Sequence, residues 1–261
     1  MLSLRDVGMH LGLLRLLVVK DLKIKYKASA IGLAWSLLNP LLLMLVYTLI
    51  FGAIFKQKQP AFPIYILSGL LAWNFFSTSL NGATLAVVAN GGLVKKVRFP
   101  ASLLPLSMVL SGFVNYLISL SLLALLMLGY RHPVGLSLLL LPVLLLSELA
   151  FVSGLGLLLS ALNVFFRDVE HFLGILLTVW FFATPVIYPP PSVVGMHGAA
   201  ALLININPMT WLIGGYHDVF YYAPAWPSWP QLGAFIALSL VLLVGGFVVF
   251  TAMSRRFVEE A

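Results

Sequence analysis

The sequence predicts an all-α membrane protein: six transmembrane helices, an N-terminal amphipathic interfacial helix before them, and short re-entrant helices between spans five and six. Three observations predict it. Of 261 residues, 61% are hydrophobic and 9% charged, whereas ordinary soluble domains carry roughly a quarter charged residues. Six stretches reach the about 20 predominantly apolar residues that a bilayer requires. Lysine and arginine gather in alternate connections, as they do when positive loops stay in the cytoplasm.

The chain opens with a segment, 1–30, that changes character at "KDLKIKYKASAIGLAW" (20–35). Its alternation of apolar and basic residues first reads as a strand. A strand there would expose an unpaired edge beside lipid. At about 100° per residue, Val18, Val19, Leu22 and Tyr26 share one helical arc, and Lys20, Lys23 and Lys27 an adjacent one. An interfacial helix buries the first arc and leaves the lysines facing phosphates or cytosolic protein. The lysines also serve as a topology signal attracted to anionic lipid. The apolar run 11–19 is interrupted by Arg15 and lacks a small-residue cleavage site, so a retained N-terminus is expected.

One six-span domain, 31–253, follows, with spans near 31–55, 64–89, 101–128, 134–166, 169–188 and 231–253. The fourth is longer than a bilayer needs and should tilt or project into water. Pro40, Pro105, Pro142 and Pro185 lie within or near span ends, where neighbouring helices and waters satisfy the freed carbonyls. Of the fifteen lysines and arginines, only Lys56, Lys58 and Arg131 fall on the side opposite the N-terminal lysines, Lys95, Lys96, Arg98, Arg167, Arg255 and Arg256. Both termini, including the tail 254–261, are therefore expected in the cytoplasm.

The longest connection, 189–230, has no lysine or arginine but holds Trp211, Trp226, Trp229, Tyr216, Tyr221 and Tyr222, residues that favour the membrane interface. Asn207 followed by Pro208 predicts an N-cap and first helical residue. Short helices dipping into the outer leaflet are the expected result, with Trp211, Tyr216 and Tyr221 as an outer gate. No internal repeat or second domain is evident.

Much chemistry is missing. The absence of cysteine excludes disulfide and thiolate chemistry. "NGGLVKK" lacks the G-x-x-x-x-G-K-[ST] spacing of a phosphate-binding loop. The five histidines are scattered, without an H-E-x-x-H pair, so no metal site or catalytic residue is expected. Glu148 is the one acid within the hydrocarbon part of a predicted span, Glu170 standing at the very start of the fifth; it is a functional candidate by default, weighed against a hydrogen-bonded structural role beside Ser147 and Ser153. His217 and Asp218 read as a solvated pair. Gly154, Gly156 and Ser160 suit close helix contact.

Aromatic residues mark three spans. Tyr47, Phe51 and Phe55 recur at intervals of four in span one, Trp73 and Phe76 stand in span two, and Phe181 and Tyr188 flank Thr184 in span five. Lipid-facing or core packing explains any single ring; three aromatic faces fit a sugar-lined channel better than an ion path, because pyranose faces stack on rings.

A second basic cluster, "NGGLVKKVRFPASLLP" (90–105), joins "NVFFRDVEHFLGILLTVWFFATPVIYP" (163–189) and "INPMTWLIGGYHDVF" (206–220) in a recognisable order. Together they resemble the ABC-2 type permease family, above all the transmembrane subunits of polysaccharide exporters for O-antigen, capsule or teichoic acid. The resemblance implies a multi-pass permease of the bacterial inner membrane that pairs with a second copy of itself and with two separate ATPase subunits. Those subunits would hold ATP and Mg, and the substrate would be a lipid-linked polysaccharide; no nucleic acid is involved. It also implies docking of the ATPase on the N-terminal helix and the loop after span two, here Lys20, Asp21, Lys23, Lys25 and Tyr26 with Lys95, Lys96, Arg98 and Phe99.

Three other readings remain open on the residues. An exporter of small hydrophobic compounds shares the fold. An intramembrane lipid-modifying enzyme should place two ionisable groups across a cavity, and a passive channel would need no basic docking loops.

Overall fold

The computed structural model describes residues 4–27, 34–51, 60–96, 99–190 and 197–257, and among these every regular element is helical. Phe55 and Arg98, expected in the channel and the docking loop, lie outside the described residues. The helices are α1 (Leu4–Lys27), α2 (Ala34–Leu49), α3 (Phe62–Ala89), α4 (Gly91–Lys96) and α5 (Leu103–Gly129). A 3-10 turn (Leu136–Leu140) then leads into α6 (Leu141–Phe165), followed by α7 (Val169–Phe182), α8 (Ala199–Ile206), α9 (Pro208–Phe220) and α10 (Trp229–Ser254).

Three segments are long and apolar enough to cross a bilayer: α5, the joined turn and α6, and α10. Helix α3 is as long, at 28 residues, but Asn74, Asn81 and several serines and threonines dilute its apolar character. Helices α2 and α7 are apolar but shorter, at 16 and 14 residues. With a rise of about 1.5 Å per residue, α7 reaches only about 21 Å.

The fifth stretch was expected to stay helical to residue 188, yet α7 stops at Phe182. Pro185 lacks an N–H and disfavours helical geometry at Thr184 before it. Other groups take the carbonyls that the helix abandons: Tyr65 Oη donates to Tyr188 O at 2.8 Å, and Asn207 Nδ2 to Ala183 O at 3.1 Å. Thr184 and Tyr188 therefore do not continue the face of Phe181.

Helix α3 forms the centre of the bundle, packed by α2, α5, α6, α7 and α9. Ile64, Tyr65, Ile66 and Leu67 are fully enclosed on all sides of it. Helix α10 is peripheral, and its buried residues Leu232, Phe235, Ser239, Gly246 and Phe250 recur at intervals of three, four and seven. That periodicity lays one stripe on α6 and leaves Leu240, Val241, Val244 and Val248 exposed.

Between helices in lipid there is no solvent-driven gain, so contact distance decides how well they hold. At the α6–α10 crossing, a Cβ on Gly246 would lie 2.2 Å from Gly154 O, and one on Gly154 would lie 2.4 Å from Leu242 C. Gly156 brings α6 close to α3, where an added Cβ would lie 2.9 Å from Ala83 Cβ, and Ser160 is fully buried. The small residues of α6 thus serve packing, as their size predicts.

Helix α1 is continuous over 24 residues, but it seats a different arc from the one expected. Leu17 is buried, with Leu13 and Leu14 beside it, against Leu103, Leu104 and Met108 of α5. Val19 is exposed and Leu22 only half-buried. Both arcs are apolar, and α5 selects the one that also presents Asp21 to Ser107.

Candidate functional site

Two basic segments far apart in sequence meet at one apolar patch. Asn90 ends α3, its Nδ2 donating to Ala86 O at 2.8 Å, and α4 follows it to Lys96. Phe99 packs into the same cluster as Leu13, Leu14 and Leu17 of α1. Lys20, Lys23 and Lys25 on α1 and Lys95 on α4 are exposed, and Lys96 closes α4. Asp21 turns inward instead, accepting from Ser107 Oγ at 3.3 Å. Desolvation beside the bundle pushes its carboxyl above the usual range, opposed by the Ser107 hydrogen bond and the nearby Lys20 ammonium. Tyr26 also turns inward and donates its hydroxyl to Asn115 Oδ1.

The aromatic residues of α2, α3 and α7 come together. Phe181 lies 6.2 Å from Tyr47 and 5.4 Å from Trp73 between ring centroids. These three rings border a groove of about 400 Å³ that also holds Asn74, Ser77, Asn81 and Thr178. Such a surface offers ring faces and hydrogen-bonding groups side by side, the combination that a sugar's two faces and hydroxyls can use. Phe76 stands behind Trp73, fully enclosed by Phe151 and Trp180, and supports the groove rather than lining it. Phe51 is half-buried against the main core, and Tyr188 Oη donates to Phe182 O at 2.8 Å.

Helices α8 and α9 depart further from expectation. Met209, Leu212, Ile213, Tyr216 and Phe220 form the buried face of α9, so Tyr216 points into the bundle rather than toward an outer gate. Its hydroxyl donates to Glu148 Oε2 at 2.7 Å. His217 is buried as well, stacked on Tyr65 at 3.8 Å between ring centroids, which replaces the solvated pair expected with Asp218. Tyr221 Oη donates to Pro60 O at 2.7 Å and pins the end of α9 to the start of α3. Trp211 Nε1 donates to Asn205 O at 2.6 Å and ties α9 to α8.

The predicted N-cap is present. Asn207 Oδ1 accepts from Met209 N at 3.0 Å and from Trp180 Nε1 at 2.8 Å, while Nδ2 donates to Ala183 O and, at 2.8 Å, to Thr184 Oγ1. Every donor and acceptor site of the amide is used.

One feature escaped the sequence reading. Ser107, Ser111, Asn115 and Ser119 recur at intervals of four along α5 and are buried, facing α1 and α2. Asp21, Tyr26 and the carbonyl of Ser36 partner Ser107, Asn115 and Ser119 respectively, Ser119 Oγ lying 3.1 Å from Ser36 O. A polar residue every fourth position inside an apolar span is the signal that could have revealed it.

Comparison with known proteins supplies the wider frame. A protein of Myxococcus xanthus, the O-antigen export system permease protein RfbA, is 40% identical over 256 residues, covering 98% of both chains. The protein of the same name from Klebsiella pneumoniae is 28% identical over 255 residues, 97% of this chain and 96% of its own. The polysialic acid transport protein KpsM of Escherichia coli is 30% identical over 79 residues, 30% of this chain and 31% of its own. Residues 12–221 match the ABC-2 type transporter family. With that match spanning α1 to the end of α9, and with similarity to a named permease along nearly its whole length, the chain belongs to the ABC-2 type transporter family.

Proposed function

We propose that the chain is the permease subunit of an ATP-driven exporter that moves a lipid-linked, O-antigen-like polysaccharide across the bacterial inner membrane. It works as a homodimer of six-span subunits, with two ATPase subunits on the cytoplasmic side and both permease termini in the cytoplasm. The observation that carries this reading is similarity to an O-antigen export permease over 98% of both chains. The groove of Tyr47, Trp73 and Phe181 with its amides supports it chemically.

The ATPase docks on the exposed lysines of α1 and on α4. Phe99 and Leu17 share one cluster with Leu103 and Leu104, so movement imposed on either docking element reaches the cytoplasmic end of α5. From there α3 passes it to the groove. Reversing Lys95 and Lys96 together to glutamate should weaken co-purification of the ATPase at least about fivefold, since interface charges set encounter and register. Unchanged association would remove this surface from the docking site.

Export is tested in cells that make the lipid-linked glycan and express the permease with its ATPase, reading glycan on the outer surface. Deleting the permease should abolish it; glycan that still reaches the surface through no other exporter would overturn the function. Phe181→Ala removes one stacking face worth roughly 0.5–1.5 kcal/mol, so export should slow about two- to tenfold at equal folded protein. A fall only in proportion to folded protein would make the ring a packing element.

A further inference from the structure

A second polar space lies between α1, α2, α3 and α5, beside the aromatic groove, with which it shares Asn74. It has two adjoining parts of about 280 and 380 Å³, which share Lys25, Thr78, Gly112 and Asn115. Its charge balance is unusual for membrane depth. Lys20 and Lys25 border it, and Asp21 is the one acid beside it, already bonded to Ser107. Among the described residues no carboxylate stands within ion-pair distance of Lys25, and desolvation pushes its ammonium below the usual lysine range.

The neutral groups are biased toward donation. Asn115 uses its oxygen on Tyr26, and among the described residues no hydrogen bond takes its two Nδ2 hydrogens. Ser79 lines one part, its buried hydroxyl without a hydrogen-bond partner among the described residues. Asn39 and Asn74 add further amides. A cation with free N–H and O–H donors around it, at a helix lying along the cytoplasmic interface, is a receptor for an anion at headgroup depth.

We propose that this cavity binds the phosphate of a lipid, with Lys25 as the cation at its mouth and Asn115 as an interior donor. The phosphate could be supplied by a resident anionic phospholipid or by the polyprenyl pyrophosphate carrier of the exported glycan. The second source rests on the function proposed above; the first does not.

The test is lipid retention by the purified permease, measured by native mass spectrometry with phosphatidylglycerol, phosphatidylethanolamine or undecaprenyl pyrophosphate as the added probe. Lys25→Gln should lower retention of the bound anionic probe about fivefold, as expected for one basic residue near a phosphate. Asn115→Asp, which keeps the acceptor for Tyr26 but removes the donors and adds a negative charge, should lower it further. Lys23→Gln, on the exposed side of the same helix, should retain as much as the unaltered chain. A drop seen with phosphatidylglycerol assigns a phospholipid, and a drop confined to undecaprenyl pyrophosphate assigns the carrier. Equal retention of every probe by all variants overturns the site. Because binding is read without transport, a permease that fails to export the glycan leaves this result intact.

Discussion

Gly154→Val should nearly eliminate folded permease. The added Cβ would meet Leu242 C at 2.4 Å and Leu242 O at 2.5 Å, and backbone atoms cannot swing aside as a flexible side chain does. Relief requires α10 to move away from α6, which loosens the Gly246 contact as well. Overpacking of this kind costs about 3 kcal/mol, and in lipid no solvent-driven term offsets lost helix contact. Monodisperse protein after detergent extraction, followed with temperature, measures the effect. Gly245→Ala is the control: nothing lies within 4 Å of its added Cβ, and alanine at a compatible helical site stabilises by roughly 0.4–1 kcal/mol. A Gly154→Val protein that melts with the unaltered chain would refute the close crossing.

Tyr216→Phe should be the next most damaging change. The hydroxyl it removes is the one group bonded to Glu148 Oε2, and Glu148 Oε1 has no partner among the described residues. Both residues are fully enclosed. A buried polar group left without its partner costs about 1–3 kcal/mol, and more when it carries charge. The same principle predicts recovery: in the double variant Glu148→Leu with Tyr216→Phe, neither unpaired group remains, and most of the lost stability should return. Thermal melting of the two single variants and the double variant forms a cycle. Additive losses would show that the two residues do not act as a pair.

The membrane class, the helical order and the N-cap at Asn207 were legible because each depends on local chemistry. Composition reports the solvent, run length reports a span, and an Asn-Pro pair has few conformations. Facing was harder. Val19 and Leu17 are equally apolar, and when lipid and protein interior have the same polarity, periodicity does not say which arc meets a neighbour. The outward reading of Tyr216 failed for a related reason. Aromatic residues near a membrane surface favour the interface on average, but Tyr216 shares a helical face with Met209, Leu212 and Ile213, and its hydroxyl has an acid to meet. Glu148 was singled out from sequence; its partner sat 68 residues away, beyond any local pattern. The groove was legible in part, since Tyr47, Trp73 and Phe181 do converge, whereas Phe76 on the same span is spent behind them. The stripe from Ser107 to Ser119 went unread although its spacing is plain, because single serines in an apolar run look like tolerated exceptions.

Asn207 also determines how α8 and α9 can travel. With all four of its hydrogen-bonding positions engaged, two of them on the backbone and hydroxyl just beyond α7 and one on Trp180 within it, the amide has no slack. Turning it over would set its NH₂ against two N–H donors, so it has a single orientation. Helix α9 starts at that amide, and α8 is laced to α9 through Trp211. A displacement of α7 along its axis is therefore passed through this amide to α9 and on to α8. Any stroke begun at the Val169 end of α7 would move its Phe182 end together with α8 and α9.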